Sequence, residues 1–208
     1  MSSLITLAQS LGLAYSSGIS LYATVALLGI TERAGWIGSL PGSLAGLTNP
    51  LVIGVAAVLA TIEFLATLVP GLASLWESVH TFIRPPAAAV LAVAVAWHAD
   101  PALIVVAALL GGGLGLATHA TKLGLRVAVD TSPEPVTNAA VNTAELGVVA
   151  SLSYLIWHHP FFALTLALLL LALTALLVRI VWRALRSIFT GSWRSVVAQP
   201  DPERKSPA

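Results

Sequence analysis

The sequence predicts an all-α integral membrane protein of six transmembrane helices, arranged as two inverted three-helix repeats with broken helices 1 and 4 and a cytoplasmic interfacial helix. Three observations carry that prediction. Only 9% of the 208 residues are charged and 57% are hydrophobic, with mean hydropathy +0.91, whereas soluble domains carry about 25% charged residues. The apolar residues form runs near 4 to 30, 51 to 69, 86 to 97, 102 to 125, 136 to 157 and 161 to 181, most of them reaching the roughly 17 to 25 residues that cross a bilayer as helix. The alternating pattern of an outer-membrane barrel strand is missing, so the backbone must satisfy its own hydrogen bonds within helices.

Taken in order, the first run begins Met1-Ser-Ser-Leu-Ile-Thr6 without a basic segment. It is too long and too broken for a cleavable signal and reads as a span. Ser17 and Gly18 interrupt it and predict a break. The second span opens at Thr48-Asn-Pro50 and carries Glu63. Next, Leu72, Leu75, Trp76, Val79, Phe82 and Ile83 recur at helical spacing opposite Glu77, Ser78, His80, Thr81 and Arg84, the pattern of a helix lying in the cytoplasmic interface. The third span, 87 to 97, is short; it either draws in Thr81 to Pro86 or is partly re-entrant. The fourth is interrupted by Gly111, Gly112 and Gly113, a second predicted break. The fifth opens at Thr131-Ser-Pro133 and carries Asn138, Asn142 and Glu145, and the sixth ends among Arg179, Arg183 and Arg186. Residues 1 to 198 therefore read as one transmembrane domain, and the Pro-rich, charged segment 199 to 208 as a disordered cytoplasmic tail.

The two halves share landmarks. Aligning Gly18 with Gly113 also matches Leu21 with Leu116, Leu28 with Leu123 and Gly29 with Gly124. Thr61-x-Glu63 then follows Pro50 as Thr143-x-Glu145 follows Pro133. This suggests repeats of about 4 to 98 and 101 to 187, and units of three spans must sit upside down relative to each other, a common plan for transporters. With six spans, Arg33 is the one basic residue of ten placed outside. The positive-inside rule then puts both termini in the cytoplasm. Trp36, Trp97 and Trp157 fall near the outer boundary and Trp76, Trp182 and Trp193 near the inner one, as an aromatic belt requires.

The segments Glu63-Phe-Leu65, Val69-Pro-Gly71, Ser74 to Pro86, Gly111-Gly-Gly113, Thr118-His-Ala-Thr-Lys122 and Thr131-Ser-Pro-Glu-Pro135 together resemble the DUF4126 family of bacterial multi-pass membrane proteins. That resemblance covers most of the chain up to the sixth span. It implies a bacterial inner (plasma) membrane location and no substrate, because the family name denotes an unknown function.

Two groups of residues could carry chemistry. Placing a charged residue within a span costs roughly 2.5 to 3.5 kcal/mol near a helix centre, so it faces a cavity, a partner or a pathway. Glu63 with Thr67, and Glu145 with Asn142 and Asn138, form inward polar stripes suited to binding a cation or exchanging protons. The structural alternative is that each glutamate holds a broken helix. The second group, His80, Arg84, His119, Lys122, Arg126 and Ser132, reads as a cytoplasmic cluster for a phosphate or carboxylate group of lipid or solute. Its alternative is that the cations snorkel and pair with Glu77, Asp130 or Glu134.

Other classes find no support. The chain has no cysteine, hence no thiol chemistry or Cys-ligated metal. His98, Asp100, His158 and His159 lie in two short loops, but loop tips are naturally polar and adjacent histidines rarely ligate one ion, so no metal is expected. No nucleophile elbow, phosphate-binding loop, zinc-protease helix or nucleic-acid motif appears in the sequence. The expectation is a transporter rather than an enzyme, coupled to protons or a cation and moving a small ion, anionic solute or lipid head group, with no cofactor and with membrane lipid as partner. An oligomeric ion channel, with the small faces of Gly111 and Gly115 as a dimer seam, and a non-transporting scaffold or lipid-binding assembly factor are the alternatives.

Overall fold

Proline sets the frame of the fold. Lacking an N–H, it is tolerated in a helix's first turn and excluded from the interior, and helices open at Pro50, Pro101, Pro135 and Pro160 and one residue before Pro85. The structure, a computed structural model, describes residues 3–69, 71–129 and 135–190. It runs α1 (Ser3–Ile19), α2 (Leu21–Arg33), a 3₁₀ segment (Gly42–Thr48), α3 (Pro50–Ala66), α4 (Leu72–His80), α5 (Arg84–Ala96), α6 (Pro101–Val129), α7 (Pro135–His158) and α8 (Pro160–Thr190). No strand occurs among the described residues. Ser132 and the tail 199 to 208 lie outside them, as do Asp130, Glu134 and Trp193.

Side-chain caps reinforce these starts. The Asn49 carboxamide oxygen accepts from the Leu51 N–H at 2.8 Å, and the Asp100 carboxylate accepts from the Ala102 N–H at 2.8 Å, each satisfying a donor with no partner in its own helix. Gly71, with φ +84°, turns the chain into α4, a conformation that a side chain would strain.

Among the described residues, three helical segments are long and apolar enough to cross a membrane: Pro101–Val127, Val136–His158 and Pro160–Ile180. The pair α4 and α5, bent by 48°, makes a fourth if it counts as one span. Leu51, Val55, Val58, Ile62 and Leu65 of α3 and Leu169, Leu173 and Leu176 of α8 are exposed, a surface suited to lipid. The chain is an all-helical membrane protein. α1 is its hub: buried from Ala8 to Gly18 except at Leu11, it packs against α5, α6, α7 and α8.

The first run is broken, but at Ser20, which is extended (φ −146°, ψ 105°), and not at Ser17 or Gly18. Both of those lie in the last turns of α1. Gly18 is needed for closeness instead: a Cβ there would come within 2.8 Å of the Gly115 carbonyl oxygen and of Thr118 Cβ.

The predicted break at Gly111, Gly112 and Gly113 is corrected more fully, because α6 continues through all three. A Cβ on Gly111 would lie 2.5 Å from the Ala92 Cβ, and one on Gly115 would collide with Ala88. These glycines let α6 press onto the Ala88, Ala92 and Ala96 stripe of α5, the small-residue packing that membrane helices favour. The seam expected for a dimer is therefore filled within one chain.

Candidate functional site

A membrane interior offers no water to a charge, so charges there must satisfy one another. The structure brings both sequence groups into one buried network. Glu63 of α3, Glu77 of α4 and Glu145 of α7 meet Arg84 of α5 and Lys122 and Arg126 of α6.

Lys122 is its centre. Its Nζ lies 3.0 Å from Glu63 Oε1, 3.0 Å from Glu77 Oε1, 3.1 Å from Glu145 Oε2 and 2.7 Å from the Ile19 carbonyl oxygen. The break supplies that carbonyl. In a continuous helix Ile19 would accept from the N–H four residues on, that of Ala23. Here the Ser20 hydroxyl oxygen accepts from the Ala23 N–H at 3.4 Å, leaving the Ile19 carbonyl for the ammonium. The Ser20 O–H itself donates to Glu63 Oε2 at 2.9 Å. The carbonyl end of α1 thus faces a cation and the amide end of α2 a carboxylate, the sense that both helix dipoles favour.

Arg84 spans two carboxylates, with Nη2 2.6 Å from Glu63 Oε1 and Nη1 2.5 Å from Glu77 Oε2. Its Nη1 also donates to His119 Nδ1 at 3.1 Å. His119 Nε2 then donates to the Thr81 hydroxyl at 2.9 Å, and Thr81 donates to the Glu77 carbonyl oxygen at 3.2 Å. This chain of donors fixes His119 as the neutral Nε2–H tautomer. His80 donates from Nδ1 to the Trp76 carbonyl oxygen at 2.7 Å, and its Nε2 lies 3.1 Å from the Tyr22 hydroxyl. The cluster accordingly holds three carboxylates against three cations.

At its other end Arg126 donates from Nη2 to Glu145 Oε2 at 3.0 Å and to the Asn142 side-chain oxygen. The Asn142 amide nitrogen donates to the Phe64 carbonyl oxygen at 3.1 Å, tying α7 to α3. Asn138 is fully buried with neither side-chain polar atom partnered, and Arg126 Nε and Nη1 are also unpartnered. Thr67 is turned back on its own helix, donating to the Glu63 carbonyl oxygen at 2.8 Å.

Two cavities meet at this cluster. The first, about 350 Å³, lies among α2, α3 and α7 and is lined by Ser20, Ala23, Ala60, Thr61, Glu63, Phe64, Thr67, Asn142, Glu145 and Leu146. Its charged residues are two carboxylates and no base. The second, about 220 Å³, lies among α1, α6, α7 and α8 and is lined by Lys122 and Glu145 among hydroxyl and apolar groups. Glu145 belongs to both. With 17% of its side chain exposed against 6% for Glu63 and 0% for Glu77, it is the most accessible carboxylate of the three.

Several placements depart from the sequence expectations. The carboxylates and the basic group are one assembly, not a core site and a separate cytoplasmic pocket. Glu77 and His80, expected on the polar face of an interfacial helix, are buried because α4 turns that face inward. Ser20 and the Ile19 carbonyl escaped the reading; the available signal was a hydroxyl immediately after the Gly18 region. His158 sits against Tyr154, and among the described residues no three His, Cys, Asp or Glu side chains gather as a metal site.

The family described as a domain of unknown function (DUF4126) has a profile that matches residues 7–180. No curated protein and no solved structure matches the chain.

Proposed function

Since the chain belongs to the DUF4126 family, whose description assigns no activity, we propose from its own geometry that it is a small membrane transporter that moves a cation or protons through the Glu63–Glu145 site. The observation that carries this reading is the first cavity. It is large enough for a small ligand, about 350 Å³, at the lower end of the roughly 300 to 1,000 Å³ usual for binding pockets. Two carboxylates, three hydroxyls and an amide line it, and the bases that pair with those carboxylates, Arg84, Lys122 and Arg126, stand behind its wall.

In this reading α1 and α2 form a hairpin that enters and leaves at one end, since Ser3 and Thr6 line the same cavity as Ser39 and Pro41, and the spans are α3, α4 with α5, α6, α7 and α8. The hairpin, α3 and α4 with α5 make one unit and α6 to α8 the other, with Glu63 and Glu145 on the middle element of each and with α1 and α6 running in the same sense. Both carboxylates converge on Lys122, as a pair related by a pseudo-two-fold axis would. The units differ in their breaks: the first turns back at Ser20 and bends between α4 and α5, while α6 and α8 run unbroken. The start of α1 then lies at the outer end with Ser39 and His98, and the basic end of α8 at the cytoplasmic face of a bacterial inner membrane.

A second reading, binding of an anionic solute or lipid head group, is supported by the unpartnered donors of Arg126 and Asn138. It is weaker because all three cations of the cluster already face carboxylates.

Purified protein in liposomes, assayed for proton-linked uptake, tests the proposal. Glu63→Gln and Glu145→Gln are each expected to abolish flux. Unchanged flux in both variants would overturn the assigned roles, and folded protein without flux under any gradient would leave a scaffold.

A further inference from the structure

The ion network leaves few polar groups in the first cavity for a ligand to hold. Both Glu63 oxygens are taken, Oε1 by Arg84 and Lys122 and Oε2 by Ser20. Glu145 Oε2 accepts from Arg126, and the hydroxyls of Thr61 and Thr67 donate within their own helix. Two groups stand apart. Glu145 Oε1 accepts no hydrogen bond among the described residues, although Oε2 of the same carboxylate is engaged. The Asn142 amide nitrogen has two N–H donors and uses one for the Phe64 carbonyl oxygen. The two are neighbours, because Asn142 Oδ1 and Glu145 Oε2 both accept from Arg126 Nη2, and both residues line the cavity.

One acceptor beside one donor selects the chemistry of a ligand. An ammonium has no acceptor for the amide N–H, and a carboxylate has no donor for Glu145, whereas a hydroxyl supplies both. Charge points the same way. Three carboxylates already face three cations, and a further charge would be buried without compensation.

The way in runs through the bilayer. The exposed rim of the cavity is Thr61 and Leu146. Thr61 stands about 16 Å along α3 from Pro50, and Leu146 about 18 Å along α7 from His158. Two helices thus independently place the opening near the middle of a ~30 Å hydrocarbon core. Inside the rim, Ala23, Ala60 and Phe64 are apolar wall; outside it, the exposed Val58, Ile62 and Leu65 of α3 continue an apolar surface. A single water could bridge the polar pair, but in a space of about 350 Å³ such walls give further waters nothing to bond.

We propose that the first cavity binds a neutral, membrane-borne alcohol. Its hydroxyl donates to Glu145 Oε1 and accepts from the Asn142 N–H, and its alkyl chain leaves between Thr61 and Leu146 into the lipid. The site shares Glu145 with the transport reading and does not rest on it, since binding requires no flux.

Photolabelling tests the site. Protein in lipid nanodiscs is irradiated with a dodecan-1-ol analogue carrying a diazirine on its chain, and the labelled peptides are mapped by mass spectrometry. Saturable labelling is expected on α3 around Thr61 and on α7 around Leu146. Excess dodecan-1-ol is expected to reduce it about tenfold. Dodecyl methyl ether, which has no O–H, dodecylammonium, dodecanoate and glycerol, which has no chain, are expected to leave it unchanged at the same concentration. Leu146→Trp, at an exposed position, is expected to close the rim and abolish labelling without lowering the Tm; Thr61→Trp on the opposite rim replaces it if that variant does not fold. Equal competition by the ether, the ammonium or the carboxylate, competition by glycerol, undiminished labelling in the rim variant, or no saturable labelling would each overturn the proposal. Competed labelling in protein that shows no cation or proton flux keeps this site and overturns transport. Glutamate-dependent flux without labelling does the reverse.

Discussion

The Lys122 ammonium lies 2.7 Å from the backbone carbonyl of Ile19, 103 residues earlier in the chain. The contact exists because a single extended residue, Ser20, takes over the N–H that would have claimed that carbonyl. A local departure from helix thus creates a long-range cation site.

Ser20→Ala tests that connection. It removes the cap of α2 and the hydrogen bond to Glu63, at an expected cost of about 1–2 kcal/mol. The Ala23 N–H is then free to reclaim Ile19. Thermal melts in detergent measure the cost, and an unchanged melting temperature would show that the break does not depend on the serine.

Removing one member of the ion network leaves a buried charge uncompensated, which costs about 3–5 kcal/mol. Glu77→Leu and Lys122→Leu are each expected to destabilise by that amount. Because the pair restores the balance of charge, the double variant is expected to recover about 1–3 kcal/mol relative to the sum of the singles. Strict additivity in denaturant titrations would contradict a shared network.

The glycines of α6 divide by what faces them. Gly115→Ala forces a methyl into Ala88 and is expected to cost about 1–3 kcal/mol. Gly113 faces open space, so Gly113→Ala is expected to be neutral or to stabilise by up to about 1 kcal/mol through helix propensity. Comparable losses in both would mean that a break, not packing, governs this segment.

That pair also shows what could be read from the sequence. Membrane class, the order of the helices and an interruption near Gly18 were legible, because they depend on local composition. The run Gly111 to Gly113 was misread because a glycine that weakens a helix and a glycine that admits a neighbour look alike until the alanine stripe of α5 is placed beside it. The ion network was half legible. Glu63, Glu145, Lys122 and Arg126 announced themselves as charges in apolar runs. Glu77 did not, since its amphipathic helix suggested an interface, and only the inward turn of α4 delivers it to Lys122 and Arg84.

The natural absence of cysteine makes the topology directly measurable. Ser39 and His98 line a third cavity of about 520 Å³ together with Ser3, Thr6, Asp100 and Trp157, so both loops and the start of α1 lie at one end of the bundle. Ser39→Cys and His98→Cys are expected to react with an impermeant maleimide from outside intact cells, and Ser78→Cys only after lysis. Labelling of all three from outside would refute that orientation.

The arithmetic of the charges also has a consequence for biosynthesis. Helices emerge from the ribosome in order, and the first five bring Glu63, Glu77 and Arg84, one carboxylate in excess. With α6 come Lys122 and Arg126, which tip the excess to one cation, and α7 closes the account with Glu145. Neither half is electrically complete alone. The second half acts as a template-matched counterpart for the first, so a nascent chain arrested before α7 would present a mispaired charge to the quality-control proteases of the bilayer.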